Sequence, residues 1–392
     1  MSHLPQTSTN AASEPALGCQ HCFARKQCGG LYFRGGLDCL CYCCQEPETC
    51  TYLCPHSKNF LNVWRDTNGL DLTIKQIKQQ EDRLPEYIPL IQHGNRRTGF
   101  LNLPIAALTT FAVTRRIKQR NDMLRDPDDL RRRFRLTLTT PLILSSIAKD
   151  DHLERFWKYR TERRLVEGIA MLKPTHVIAP NFSLFRDVPR FDNLANIKRS
   201  LLCAEEFSNA GISVIPYVAG ITTTDWETWT AFLREHANIA IICKEFQTGA
   251  STKAKGTWHL RQLDRLQQNL GRPLHVVAIG GRRYLRALRA FAGVTVIDSN
   301  PFMRTMYRRL LTTTGWKDAS TPIGAPLDRL LETNIAAYAQ RMQRQAAGEE
   351  QSPSRPPMTK MEQPTSQLAF GFATPTSSTQ ENQIPLQHRK AS

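Results

Sequence analysis

No stretch of the sequence approaches the ~20 consecutive apolar residues that a membrane-spanning helix needs, so a helical transmembrane protein is excluded by pattern alone. The amino terminus, MSHLPQTSTNAASEPALG, lacks the basic-then-apolar plan of a secretory leader. A cytoplasmic protein is therefore expected, with no membrane partner, in a setting where disulfides are rare. Acidic residues are in short supply: 35 Asp and Glu stand against 52 Lys and Arg, leaving a net charge of +17. That imbalance favours a polyanionic partner, a nucleic acid or a nucleotide. Cysteine is also scarce over most of the chain. Only Cys203 and Cys243 lie outside residues 19–54, and the other nine of the 11 are crowded into that short span.

Those nine are Cys19, Cys22, Cys28, Cys39, Cys41, Cys43, Cys44, Cys50 and Cys54. In a reducing compartment such crowding points to metal, because a C-x2-C pair brings two thiolates from one tight turn onto a single ion. Gly29 and Gly30, directly after Cys28, permit the sharp backbone that a ligand-bearing loop requires. Nine thiols exceed one four-ligand site, which leaves two sites, or one site with spare cysteines. CQHCFARKQCGG, a C-x2-C-x5-C-G-G pattern, resembles the auxiliary-cluster motif of the SPASM segment in radical-SAM enzymes. CTYLCP, residues 50–55, is similar to the C-x3-C-P ending of bacterial ferredoxins. Both resemblances imply an iron–sulfur cluster, with structural zinc as the alternative. The C-x3-C-x2-C triad that binds S-adenosylmethionine is absent, which argues against a radical-SAM enzyme.

From residue 87 onward, apolar β-branched runs alternate with amphipathic stretches. Strands are expected within 87–94, 134–146, 175–181, 212–220, 238–246, 273–281 and 294–299. Helices are expected over 193–211, 224–236, 257–271 and 282–293, the second opened by Thr224 and Glu227 as a capping box and the others closed by glycine. Continuous apolar strands joined by helices argue for a parallel sheet covered on both faces. The size suits an α/β fold of the (β/α)8-barrel type with one strand unread, and a doubly wound open sheet is the alternative. The expected organisation is a disordered segment 1–17, a cysteine-rich metal-binding segment 18–60, the α/β domain 61–343, and a disordered Pro-, Ser-, Thr- and Gln-rich tail 344–392.

In either parallel architecture, functional groups gather at the carboxyl ends of the strands. Three carboxylates are expected to carry any chemistry: Asp298 as nucleophile or base, Glu245 as general acid–base partner, and Asp187. Binding roles fall to Asn181, Ser183, Arg186, Lys244, Gly280, Gly281, Arg282 and Arg283. In AIGGRRYLR, residues 278–286, paired glycines let a ligand approach the backbone and two arginines open a helix, a setting that suits an anion. The third glycine of a dinucleotide fingerprint is missing. Asp298 and Ser299 have a second reading, as caps of the helix that follows.

RPLHVVAIGG followed by VTVIDS resembles the late strands of the tRNA-guanine transglycosylase barrel. That resemblance implies Asp298 as nucleophile, with Gly280 and Gly281 lining a base pocket; the carboxy-terminal zinc motif of that family is missing. PNFSLFRDVPR, NIKR and GISVIPY are similar to an uncharacterised domain family of bacteria, phages and mobile elements, whose members share SLFRD-V-P after a strand. This implies a fold, and site weight for Asn181, Ser183, Arg186 and Asp187, but no reaction. Basic clusters at 115–120, 131–135, 155–164 and 303–310 interleave rings with arginines, a pattern of phosphate contact and base stacking. At helical spacing the rings Phe156 and Trp157 instead face the core. The sequence thus supports a metal-containing enzyme acting on nucleic acid or a nucleotide. The alternatives are a non-catalytic nucleic-acid adaptor and a redox protein whose iron–sulfur cluster passes electrons.

Overall fold

A computed structural model describes residues 24–28, 59–80, 83–114, 124–185, 188, 190–247 and 252–347. The segment 1–17, residues 348–392 of the expected disordered tail, and eight of the nine clustered cysteines lie outside these residues; residues 344–347, expected in that tail, are instead the last residues of the closing helix. Two short helices come first, α1 (Arg25–Cys28) and α2 (Phe60–Thr67). Strands and helices then alternate: β1 (Tyr87–Pro89), β2 (Ala106–Thr109), α3 (Thr110–Val113), α4 (Pro127–Arg133), β3 (Leu142–Ser145), α5 (Asp150–Tyr159), α6 (Leu165–Met171) and β4 (His176–Ile178). The alternation continues with α7 (Arg190–Asn209), β5 (Ser213–Ile215), α8 (Thr223–Glu235), β6 (Ile241–Glu245), α9 (Lys253–Leu270), β7 (His275–Ile279), α10 (Leu285–Leu288), β8 (Gly293–Asp298) and α11 (Asn300–Met306). A hairpin, β9 (Arg309–Thr312) and β10 (Gly315–Asp318), precedes the closing helix α12 (Asp328–Ala347).

The first eight strands form two four-stranded parallel sheets, ordered β2-β3-β4-β5 and β1-β8-β7-β6. One parallel bridge joins the sheets at each junction. Leu90 pairs with Ala107, where Ile91 N–H donates to Ala107 O at 2.9 Å. Tyr217 pairs with Cys243, where Val218 N–H donates to Cys243 O at 2.9 Å. The strands are buried along nearly their whole length, β3, β4, β5 and β6 at every residue. Burial on both faces is what the unbroken apolar runs require, since a half-exposed strand would alternate.

Local rules explain most boundaries. Helix α7 ends before Gly211 and α9 before Gly271, both at positive φ (85° and 65°), where glycine carries no Cβ penalty. Helix α8 is capped two residues earlier than expected. Its cap is Thr222, which accepts from Asp225 N–H while the Asp225 carboxylate accepts from Thr222 N–H, so the capping box is Thr222–Asp225 and not Thr224–Glu227. Asp225 wins because its carboxylate also takes Ile221 N–H and pairs with Arg190. The expected helix 282–293 shrinks to a 3-10 turn at Arg282–Tyr284 followed by α10. Gly293 begins β8 instead of ending a helix: a Cβ there would lie 2.4 Å from the His275 ring on β7.

A satellite cluster of Ala24, Phe60, Leu70, Phe191, Leu194 and Ala195 seats α1 and α2 against the first turns of α7. The Phe60 and Phe191 rings lie 4.3 Å apart. The described part of the cysteine-rich segment therefore docks beside the loop that follows β4.

Candidate functional site at the carboxyl ends of the strands

Because β1 to β8 run parallel, the residues that follow them share one edge of the sheets. Asn181 follows β4, Glu245 ends β6, and Asp298 ends β8, so these three stand on the same edge. Glu245 is level with Ile279, and Ile279 with Ile297, while Gly280 N–H donates to Ile297 O at 3.1 Å. With neighbouring strands about 4.8 Å apart, Glu245, Gly280 and Asp298 form a short row across three strand ends.

Asp298 is held from two sides. Its Oδ1 accepts from Asn300 N–H at 2.8 Å, and its Oδ2 accepts from the Tyr338 hydroxyl on α12 at 2.7 Å. The first bond serves the turn into α11, in keeping with the capping reading; the second fixes the carboxylate by a buried phenol. Burial, and next the Asp298 charge, push the Tyr338 hydroxyl well above its ordinary range. Arg282, half-buried after β7, lies with its guanidinium 6.0 Å from the Tyr338 ring centre. It makes no hydrogen bond or ion pair among the described residues. Arg283 is exposed, its guanidinium 5.6 Å from the Tyr284 ring centre.

The paired glycines behave differently from the expectation that they admit a ligand. A Cβ on Gly280 would meet the Gln247 side chain at 2.4 Å, and one on Gly281 would meet Ala278 at 2.7 Å and Phe246 at 3.1 Å. Protein side chains from the β6 end and from β7 fill that space, and Gly280 also needs φ +68°. Both glycines serve a tight turn packed on the end of β6.

Lys244 and Glu245 are both buried at the end of β6. The Lys244 ammonium lies 5.4 Å from the Tyr217 ring centre and 5.9 Å from that of Trp226 on α8. Burial lowers its pKa to about 8, against the opposing influence of the Glu245 carboxylate. The same carboxylate, after burial itself, holds the Tyr217 hydroxyl up. Glu245 Oε1 also accepts a short hydrogen bond from Gln247 N–H.

The loop after β4 is anchored throughout. Asn181 Oδ1 accepts from Ala148 N–H at 2.8 Å, and the Ser183 hydroxyl donates to Asp150 Oδ1 at 2.6 Å. Buried Asn193 brackets Phe185, accepting from its N–H at 2.9 Å and donating to its carbonyl at 2.8 Å, while Asn196 Nδ2 donates to Ser183 O at 2.9 Å. These two asparagines position the loop and were not singled out in the sequence; their signal is polar residues on a helix that is otherwise mostly buried. Lys198 and Arg199 of the NIKR segment are structural. Lys198 donates to Thr73 O at 2.6 Å and Asp71 at 3.1 Å, and Arg199 binds both oxygens of Glu154 at 2.9 and 2.7 Å. Arg186 and Asp187 lie outside the described residues. Of the proposed thiolate ligands only Cys28 is described, and among the described residues no group of three or more His, Cys, Asp or Glu side chains converges as a metal site.

Residues 130–252 match the model of a domain of unknown function (DUF4417). That segment runs from α4 through β6, so it takes in Asn181, Ser183, Tyr217, Lys244 and Glu245 and stops short of Arg282 and Asp298. No curated protein matches the chain.

Proposed function

We propose that the chain is a (β/α)8-type protein that binds the phosphates of a nucleic acid or nucleotide at the carboxyl ends of its strands. The observation that carries this reading is Arg282: a half-buried guanidinium on the rim, engaged with no carboxylate among the described residues and set beside the Tyr338–Asp298 pair. A planar fork without a partner suits a phosphate, and the net charge of +17 supplies the long-range attraction. The bridges Leu90–Ala107 and Tyr217–Cys243 support reading the two sheets as one closed ring. In that ring the Ile91 and Val218 amides would exchange with deuterium as slowly as amides within the strands.

In this reading Asp298 is the carboxylate presented to the bound ligand, as nucleophile or base, and Glu245 and Asp187 are the further acid–base groups. The cysteine-rich segment is a metal-bearing head, iron–sulfur or zinc, whose ligands come from Cys19, Cys22, Cys28 and the cysteines up to Cys54. Its docking through α1 and α2 onto α7 supports a place near the loop after β4. Absorbance near 400 nm of anaerobically purified protein, with elemental analysis, separates iron–sulfur from zinc.

The test of the binding reading is fluorescence anisotropy with an end-labelled oligonucleotide over a series of salt concentrations. Affinity should fall steeply with salt, and Arg282→Ala should weaken binding several-fold and reduce the magnitude of the salt slope by about one. Identical salt slopes for the two proteins would overturn it. Asp298→Asn separates enzyme from adaptor, since it should leave binding in place and remove any base or glycosidic-bond chemistry.

A further inference from the structure

The binding reading makes no use of Lys244, the most unusual cation among the described residues. It is 4% exposed, at the end of a strand buried at every residue, and no oxygen of the described residues accepts a hydrogen bond from its amine. Lys198, a lysine of similar burial at 1% exposed, shows the ordinary solution: its ammonium is held by Thr73 O and Asp71. An amine so enclosed, without such acceptors, carries a desolvation cost as the ammonium. Two aromatic rings at 5.4 and 5.9 Å lie near the outer reach of cation–π attraction and offset only part of that cost.

We propose that Lys244 is a nucleophilic amine that condenses with a small aldehyde or ketone to form an imine at the carboxyl end of β6. The requirements of that reaction match the surroundings. The attacking group must be the neutral amine, and desolvation between Tyr217 and Trp226 favours the neutral form. The amine nitrogen attacks the carbonyl carbon, and the carbonyl oxygen takes up a proton to give a carbinolamine. The nitrogen then releases a proton, and the hydroxyl leaves as water as the C=N bond forms. Amine plus carbonyl thus gives imine plus water, with no oxidant or reductant. In the proposal Glu245, whose carboxylate charge acts on both Lys244 and Tyr217, carries the proton. Lys244, Glu245 and Tyr217 all fall inside the matched segment 130–252, whereas Arg282, the proposed phosphate contact, does not. The proposal therefore stands or falls independently of nucleic-acid binding.

The experiment is competitive reductive labelling of the whole protein. A brief pulse of glyoxylate with cyanoborohydride traps any imine as a carboxymethyl amine, and peptide mass mapping gives the rate at each lysine. With a pKa of about 8, about a tenth of Lys244 is neutral at pH 7, against less than about a thousandth of an ordinary lysine. Lys244 should therefore label at least about tenfold faster than the exposed Lys158, Lys173 and Lys253 at pH 7, with the advantage shrinking by pH 10. The fast phase should vanish in Lys244→Met while the other lysines keep their rates. Labelling of Lys244 at or below the rate of the exposed lysines at pH 7 would overturn the proposal, and that comparison needs only the wild-type protein.

Discussion

Tyr338 and Asp298, 40 residues apart, meet through a 2.7 Å hydrogen bond from the phenol of α12 to the carboxylate at the end of β8. The bond ties the last helix of the domain to the strand edge where the candidate site lies. Its geometry makes Tyr338 a positioning residue, since the phenol is fully buried and the carboxylate is not.

Tyr338→Phe should cost about 1.5–3 kcal/mol in urea unfolding, the range for a hydrogen bond to a charged acceptor. A second readout is the alkaline titration of tyrosine absorbance. Burial raises the hydroxyls of Tyr87, Tyr217 and Tyr338 above the ordinary value of 10.0, so three of the nine tyrosines should stay protonated while the exposed ones ionise. The folded state then holds protons that the unfolded state has lost. Stability should fall above pH 10, by up to about 1.4 kcal/mol per pH unit for each such group. In Tyr338→Phe that alkaline loss should be shallower. Equal alkaline slopes for the two proteins would contradict the assignment.

His275 gives the opposite end of the pH range. Its Nε2 lies 2.8 Å from Thr295 Oγ1, and burial lowers its pKa to about 4. Between pH 6.5 and 4 the unfolded chain takes up a proton that the folded chain refuses, so stability should drop on acidification by at most about 3.4 kcal/mol. His275→Gln should remove that part of the acid slope. Gly293 is coupled to the same ring, because a Cβ there would sit 2.4 Å from His275 Nδ1. Gly293→Ala should cost about 1–3 kcal/mol in the wild type and much less beside His275→Ala, a coupling that a double-mutant cycle reads directly.

The alternation of strands and helices was legible because fully buried parallel strands write themselves as unbroken apolar runs. HVI, SVI, IICKE and HVVAI all became strands within the stretches expected. The missed strand was β2, AALT, because alanine carries no β signal and its strand character comes from pairing with LILS of β3. The long run 134–146 was read as one strand, yet only Leu142–Ser145 qualifies; Arg135 takes a positive φ of 52° and breaks the run. The position of the candidate site at the strand ends followed from parallel topology. What escaped reading were contacts between residues distant in sequence: Tyr338 on Asp298, Asn193 on Phe185, and Gln247 filling the space over Gly280. A charge count likewise does not reveal which arginines are internal.

Arg97 is one of those internal arginines. It is 4% exposed, and its guanidinium donates to the carbonyls of His93 at 3.1 Å, Arg135 at 3.1 Å and Phe134. Those three carbonyls belong to the segments after β1 and α4, which Arg97 joins. Arg97→Ala leaves buried acceptors without donors and should cost about 3 kcal/mol or more. Arg97→Lys, with no planar fork, should recover only part of that. Urea unfolding of the two variants reads both effects, and full recovery by lysine would show that charge, not the fork, is what the site needs.

Arg160 and Arg199 extend the same distinction to the cluster 155–164, whose rings and arginines resemble a base-stacking surface in the sequence. The Arg160 guanidinium lies 3.5 Å from the Trp157 ring centre and its Nε binds both oxygens of Glu206 at 3.0 Å. Arg199 lies 4.8 Å from the same ring centre while holding Glu154. Trp157 also meets Phe182 edge-on at 6.0 Å. A ring so surrounded has little face left for a base, and arginines already paired with carboxylates release few counterions when a phosphate arrives. Arg160→Ala should therefore lower stability by about 1–2 kcal/mol through lost stacking and pairing, and leave the salt slope of oligonucleotide binding as it is. Arg282→Ala should do the reverse, changing the slope with little effect on unfolding. Should Arg160→Ala flatten the salt dependence instead, the phosphate surface would lie on the α5 side of the domain and not at the strand ends.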